Sequence, residues 1–198
     1  MNLLPVKRAI LSVTDKTGLA EFGRFLSDHG CELVSTGGTK KMLSEVGLPV
    51  TSVSDITDFP EILGGRVKTL HPHIHGGILA DKDDEGHMET LREFGIETFD
   101  LICVNLYNFA DAVSKGLDLK AAVEQIDIGG PTMLRASAKN FHSILVVPDP
   151  QYYPRIQKEI EENGGISLEL RKEMAALTFK LVSEYDAMIT RYLSENDA

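Results

Sequence analysis

Arg66, Lys68, Thr69 and His71 crowd cations and donors into six residues, directly behind Gly64 and Gly65. Paired glycines let the backbone turn tightly and come close to a ligand. No apolar period runs through the segment, so a packed helix or strand does not account for it. Arg offers a planar fork and Lys a point charge, a combination suited to a phosphate or another anion. The plainer alternative is an exposed basic turn. His71-Pro72-His73-Ile74-His75 follows, and alternating histidines on an extended segment would point the same way, as a metal site requires. No second cluster of Asp and His accompanies them in the sequence. A histidine that orients or protonates a ligand is therefore preferred to a metal.

Three further clusters carry usable chemistry. Ser12-Val13-Thr14-Asp15-Lys16-Thr17 and Ser35-Thr36-Gly37-Gly38-Thr39-Lys40 offer hydroxyls, backbone amides and Lys16. The first lacks the glycines of a P-loop and the second lacks the Walker spacing, so neither implies ATP. Each is equally readable as a capped helix start. Asp127-Ile128-Gly129-Gly130-Pro131-Thr132 leads into a helix on which Thr132, Arg135 and Lys139 share a face. Pro131 suits a first helical position. Asp127, just before that start, is a cap, a partner for Arg135 or a functional carboxylate. Asn105 and Tyr107 end the strongest apolar run, where polar side chains can project into a site.

An α/β frame must position these groups. Arg8–Val13, Cys31–Val34, Pro49–Val53, Phe99–Leu106 and Ser143–Val147 read as strands, the fourth apolar on both faces as parallel sheets demand. Between them, Leu19, Phe22, Phe25 and Leu26 mark one helical stripe, and Met42, Leu43 and Val46 another that Gly47 stops. The alternation predicts a doubly wound, mainly parallel sheet. In such sheets ligands bind beyond the carboxyl ends of the strands, where helix N-termini offer free N–H groups. From Leu170 onward Met174, Leu177, Leu181, Tyr185, Met188 and Tyr192 recur at steps of three and four, predicting one long C-terminal helix. Residues 1–165 are expected to form the domain, and 166–198 a helical extension packed on it or on a partner subunit.

Composition narrows the partners. The net charge of -10 argues against nucleic acid, whose phosphate backbone calls for a basic surface. No apolar run approaches the roughly 20 residues of a membrane span, and no secretory signal opens the chain. Cys31 and Cys103 lie in apolar runs and read as reduced core thiols, which suits a cytoplasmic protein.

Together the motifs closely resemble the IMP cyclohydrolase family, the N-terminal domain of a bifunctional purine-biosynthesis protein that also carries AICAR transformylase. Ser12–Leu19, Gly37-Gly38-Thr39, Gly65-Arg66-Val67-Lys68-Thr69-Leu70-His71-Pro72, Asn105-Leu106-Tyr107, Gln125–Gly130 and Ala138-Lys139-Asn140 come in family order across nearly the whole chain. The resemblance implies the methylglyoxal synthase-like fold. It also implies ring closure of 5-formamidoimidazole-4-carboxamide ribotide to IMP with loss of water, without metal, redox cofactor or added nucleotide. A homodimer is implied too, with the transformylase on a separate chain or a further domain.

Carried over residue by residue, the resemblance gives Lys68, Tyr107, Asp127 and Lys139 catalytic roles. Lys68 would lower the Tyr107 phenol pKa, Asp127 would bind the carboxamide and Lys139 would shuttle a proton. Ser12, Thr14, Lys16, Thr36, Gly38 and Thr39 would hold the 5′-phosphate. Arg66 and Thr69 would line the path from phosphate to base. Asn105, Ile128 and Gly129 would surround the base end, with Asn105 and the Gly129 region as oxyanion donors. Thr14 and Thr36 stand where serine is common, Asn108 where proline is usual and His73 where a small residue is usual. Methylglyoxal synthase and a regulatory nucleotide-binding module share the fold, but neither accounts for Ile-Asp-Ile-Gly-Gly together with Lys139.

Overall fold

The computed structural model describes residues 2–107, 109 and 116–195; Asn108 lies outside the described residues. β1 (Leu3–Leu4) leads into β2 (Arg8–Ser12), α1 (Leu19–Asp28), β3 (Glu32–Ser35), α2 (Gly37–Glu45), β4 (Val50–Ser52) and α3 (Val53–Thr57). A glycine-rich 3-10 turn (Leu63–Gly65) precedes α4 (Pro72–Leu79), α5 (Glu85–Glu93) and β5 (Leu101–Val104). Then come α6 (Leu119–Val123), α7 (Gly129–Lys139), β6 (Leu145–Val147), α8 (Tyr153–Asn163), β7 (Ile166–Ser167) and α9 (Leu168–Glu195).

β4-β3-β2-β5-β6 form a five-stranded parallel sheet. β1 and β7 make a separate antiparallel pair. From β2 the chain first walks outward through β3 to β4, then returns to place β5 on the other side of β2. Right-handed crossovers then put α1 and α2 on one face and α7 on the other, with α8 packed on α1 and α9 on α7 and β6. The order reverses between β2 and β5, and there the carboxyl ends of two adjacent strands diverge into a crevice. Ile10, Leu11, Ile102, Leu145 and Val146 are fully buried, as residues of a sheet covered on both faces should be.

Several details differ from the sequence reading. The three histidines do not lie on an extended segment: Pro72 starts α4, and His71 caps it by accepting the His73 N–H on Nδ1 at 3.2 Å. Pro at the first helical position sets φ without losing a hydrogen bond, and that local cost decides against extension. α7 begins two residues earlier than Pro131 suggested, at Gly129. Val46 is the exposed C-cap of α2 rather than part of its buried stripe. On α9 the buried stripe runs Leu170, Arg171, Met174, Ala175, Thr178, Val182 and Tyr185, rotated from the predicted one; Leu177, Leu181 and Met188 sit at its margin. Arg171 causes the shift. It is fully buried, and its guanidinium donates to the carbonyls of Phe141, His142 and Ser167.

The amino ends of the strands are locked by a buried ion pair. Asp100 Oδ2 accepts the Lys7 and Arg8 N–H groups at 2.8 and 2.9 Å, while Oδ1 pairs with Lys82 Nζ. Lys82 also donates to the Phe99 carbonyl at 2.9 Å. Burial pulls the Lys82 pKa down and Asp100 pulls it back up. Asp100→Ala therefore strands a buried ammonium and two N–H groups. We expect a loss of about 3–5 kcal/mol, read as a Tm lower by roughly 6–20 °C, with the distant crevice still binding its ligand; an unchanged Tm would contradict this account.

Candidate functional site

Five segments far apart in sequence converge on one cleft of about 890 Å³ at the carboxyl ends of β2 and β5. That size is ordinary for a small-molecule site. Ser12, Thr14 and Lys16 come from the turn after β2, and Thr36, Gly37, Gly38 and Thr39 from the start of α2. Gly64, Gly65, Arg66, Lys68 and Thr69 come from the glycine-rich loop, Asn105 from the end of β5, and Asp127, Ile128, Gly129 and Gly130 from the start of α7.

One end of the cleft is built for an anion. α2 starts at Gly37, with φ +44°, and among the described residues no side chain caps its N-terminus and no acid occupies its first turn. Its first N–H groups are thus open to a ligand. Ser12 Oγ and Thr36 Oγ1 share a hydrogen bond of 2.8 Å beside them. Lys68 comes over this same end: a Cβ built on Gly37 would stand 3.7 Å from Lys68 Nζ. Gly65, at φ +88°, makes that approach possible, since a Cβ there would meet Lys68 Cε at 2.7 Å.

Two of the expected ligand contacts have other work. Asn105 Oδ1 accepts the Thr14 and Asp15 N–H groups at 2.7 and 3.0 Å, and Nδ2 donates to the Asp15 carbonyl at 2.9 Å. Its amide ties β5 to the turn after β2. Thr39 is buried, its Oγ1 accepting the Val13 N–H at 3.1 Å and donating to the Val13 carbonyl at 2.9 Å. Both side chains shape the anion end rather than point free donors into it. Lys16 folds back on its own turn, with Nζ 3.3 Å from the Thr14 carbonyl.

Asp127 dominates the other end. Its Oδ1 accepts the Gly130 N–H at 3.0 Å, and the neighbouring Gly129 amide favours its ionised form. It is thus a side-chain cap of α7 and not a partner for Arg135, whose guanidinium lies 5.7 Å from the centre of the Phe179 ring. Burial pushes the Asp127 pKa above the usual carboxylate value, against the two amides and Lys68, which pull it down. Thr69 is buried against this helix start, where a Cβ on Gly129 would come within 3.0 Å of Thr69 Oγ1.

Arg66 and Lys68 each meet a carboxylate. Lys68 Nζ lies 3.4 Å from Glu61, and Arg66 Nη2 pairs with Glu124, bridging the glycine-rich loop to the α6–α7 turn. Glu124 and the apolar lips Leu63 and Val123 line the cleft and were not among the expected residues. Nothing in the sequence marks Glu124, because it follows α6 as one more exposed acid in an acidic chain.

Among the described residues lining the cleft, neither Tyr107 nor Lys139 is found. Tyr107 is half-buried, two residues beyond Asn105. Lys139 is exposed in the last turn of α7. At 1.5 Å per residue it sits about 15 Å along the axis from Gly129. From α7 the cleft is lined by Gly129, Gly130 and Met133, and by none of Thr132, Arg135 and Lys139. The histidines do not form a metal set either: His73 Nδ1 bonds the Ile56 carbonyl at 3.0 Å, and burial lowers the His75 pKa. Among the described residues no group of three or more His, Cys, Asp or Glu is arranged to hold a metal.

Residues 18–132 match the model of the MGS-like domain. The chain belongs to that family. Residues 137–198 match the model of the AICARFT/IMPCHase bienzyme. The chain is 48% identical over 191 residues to the bifunctional purine biosynthesis protein PurH of Ruminiclostridium cellulolyticum, and this covers 96% of the chain and 37% of that relative. It is 51% identical to PurH of Ligilactobacillus salivarius, with the same coverage of both. The chain thus spans little more than a third of the length of these relatives, corresponding to their N-terminal part. The crystal structure of ForH superposes with a TM-score of 0.85 at 33% identity, covering 95% of this chain and 97% of ForH. The MGS-like match takes in β3, β4 and β5 and the cleft residues from Thr36 to Gly130, while β2 and β6 lie outside it. The α7 start with Asp127 lies inside the MGS-like match, and α9 lies wholly in the bienzyme match.

Proposed function

We propose that the cleft is an IMP cyclohydrolase site, closing the ring of 5-formamidoimidazole-4-carboxamide ribotide to IMP with release of water. The observation that carries this reading is a single cleft lined by the open N-terminus of α2, by Lys68 and by the Asp127 carboxylate. A substrate with a phosphate at one end and a carboxamide beside a formamide at the other matches that arrangement.

The 5′-phosphate occupies the α2 end, held by backbone N–H groups, Ser12, Thr14, Thr36 and Lys16. Arg66 and Thr69 flank the ribose and base. The reacting atoms belong to one molecule, so holding the carboxamide nitrogen against the formyl carbon supplies up to about 7–11 kcal/mol. Asp127 accepts a hydrogen bond from the carboxamide N–H and orients its lone pair. As the C–N bond forms, the formyl oxygen gains negative charge, and Lys68 is the cation placed to stabilise it. With the Asn105 amide already engaged, Lys68 takes the larger part. The carboxamide nitrogen gives one proton to a base, for which Tyr107 just beyond the end of β5 is the candidate, and the formyl oxygen takes up a proton to become a hydroxyl. Loss of the formamide N–H proton then forms the C=N bond as that hydroxyl, protonated once more, departs as water.

The resemblance further suggests a cytoplasmic homodimer, and the outer face of α9 with exposed Phe179 and Leu193 is the candidate contact. Among the described residues no helix is long and apolar enough to cross a membrane. The relatives are called bifunctional, so the transformylase step belongs to another chain or region.

The deciding experiment is ultraviolet absorbance of purified protein mixed with the formamido ribotide, without added metal or nucleotide. IMP is expected at catalytic enzyme concentrations. Conversion of dihydroxyacetone phosphate instead would favour a methylglyoxal synthase, and tight IMP binding without turnover a regulatory module.

A further inference from the structure

The long C-terminal helix reaches the cleft through one side chain. Tyr185 is 5% exposed, and its hydroxyl oxygen accepts the Asp127 backbone N–H at 2.8 Å. The two residues are 58 apart in sequence and belong to different elements. Asp127 has no helical partner for this N–H, because it precedes α7. Its peptide is thus fixed from outside its own element.

We propose that Tyr185 is a positioning residue for the reaction, its hydroxyl holding the Asp127 peptide so that the carboxylate stays over the start of α7 and faces the cleft. Three observations make this more than the filling of an orphan N–H. First, the hydroxyl comes from a helix whose rotation is fixed far away. Arg171 is clamped to the carbonyls of Phe141, His142 and Ser167, and the stripe Met174, Thr178 and Val182 continues straight to Tyr185. Fourteen residues separate Arg171 from Tyr185, about 21 Å of rigid helix. Second, α9 packs along α7, and Arg135 of α7 lies over Phe179 of α9 between the clamp and the cleft. Third, the peptide held is the one whose Cα aims the carboxylate, and the bond that carboxylate accepts from the Gly130 N–H depends on where that peptide stands.

The groups facing this pair are few. Lys68 acts on Asp127 from the glycine-rich loop, the Gly129 and Gly130 amides act from α7, and Asp186 acts on Tyr185 from α9 itself. Loosening the Asp127 peptide weakens the bond from the Gly130 amide, which favours the ionised carboxyl. Its titration then moves upward, further from the ordinary carboxylate value.

The test is Tyr185→Phe, which keeps the ring and removes the acceptor. This inference rests on the cyclohydrolase reading, so one measurement is independent of turnover. In the ribotide assay kcat is expected to fall about tenfold with KM within twofold, and the acid limb of the pH profile to move to higher pH. In ¹³C-labelled protein the Asp127 carboxyl titration moves in the same direction, and the Asp127 amide exchanges faster with solvent. Thr178→Val is the control. It removes a buried hydroxyl of the same helix that bonds only the Met174 carbonyl, so it leaves both titrations in place. Wild-type kcat, acid limb and carboxyl titration in Tyr185→Phe would overturn the proposal. If the wild-type protein forms no IMP, the function reading falls by itself. A shifted carboxyl titration would still support the positioning of Asp127, and an unshifted one would overturn it.

Discussion

Lys68→Met is expected to lower IMP formation roughly 10²–10³-fold, the usual cost of removing one group that stabilises a developing oxyanion. Methionine keeps most of the unbranched stem, so the loop keeps its packing and the loss reports the charge. No other cation takes over. Arg66 is paired with Glu124 on the mouth of the cleft, and Lys16 is folded against the Val13 and Thr14 carbonyls. The phosphate end loses less, because the open N-terminus of α2 and the Ser12–Thr36 hydroxyl pair do not depend on Lys68. The Kd for IMP, measured by calorimetry, should therefore rise far less than kcat falls. A second consequence has a fixed sign. Lys68 favours ionised Asp127. Its loss raises the Asp127 pKa further, and the acid limb of the remaining activity moves to higher pH. Wild-type kcat in Lys68→Met would remove this residue from the chemistry.

Asp127, Lys68 and the Ser12 and Thr36 hydroxyls were legible because chemistry-bearing types followed glycines or strand ends, and the strand order put those ends together. Five apolar runs also placed the sheet correctly, since strands buried on both faces leave an uninterrupted hydrophobic signature. Asn105 and Thr39 were legible only as residues of the site. Whether an amide or hydroxyl faces a ligand or its own backbone depends on hydrogen bonds across 91 and 26 residues, and composition carries no trace of such partners. Lys139 shows the opposite failure. Helical spacing aligns Thr132, Arg135 and Lys139, but does not say whether the cleft meets that face, and its lining takes Gly129, Gly130 and Met133 from α7 instead. Glu124 and Tyr185 were hidden for a third reason. One is a surface acid and the other sits in an apolar stripe, so each looks ordinary until the fold brings a functional neighbour against it.

Gly130→Ala should separate the position of Asp127 from the stability of the fold. A Cβ on Gly130 would stand 2.2 Å from Asp127 Oδ2, 3.0 Å from its Cγ and 3.2 Å from Leu106 Cδ2. The first distance is far inside contact, so the carboxylate must move. Gly130 does not have a positive φ and lies inside α7, where alanine is the better helix former. The substitution therefore adds helix propensity while it displaces the carboxylate, and Tm should stay within a few degrees of wild type. A displacement of about 1 Å at a group that orients a reacting nitrogen can cost 10²-fold in rate, and a loss of that order is expected in kcat. KM should change less, because the phosphate end lies across the cleft and is untouched. The same push breaks the Gly130 N–H bond to Oδ1, so the Asp127 titration also moves up. A protein that kept wild-type kcat with this methyl in place would show that the carboxylate is not needed where it stands. A protein that lost kcat and Tm together would show that Asp127 serves α7 first as its cap.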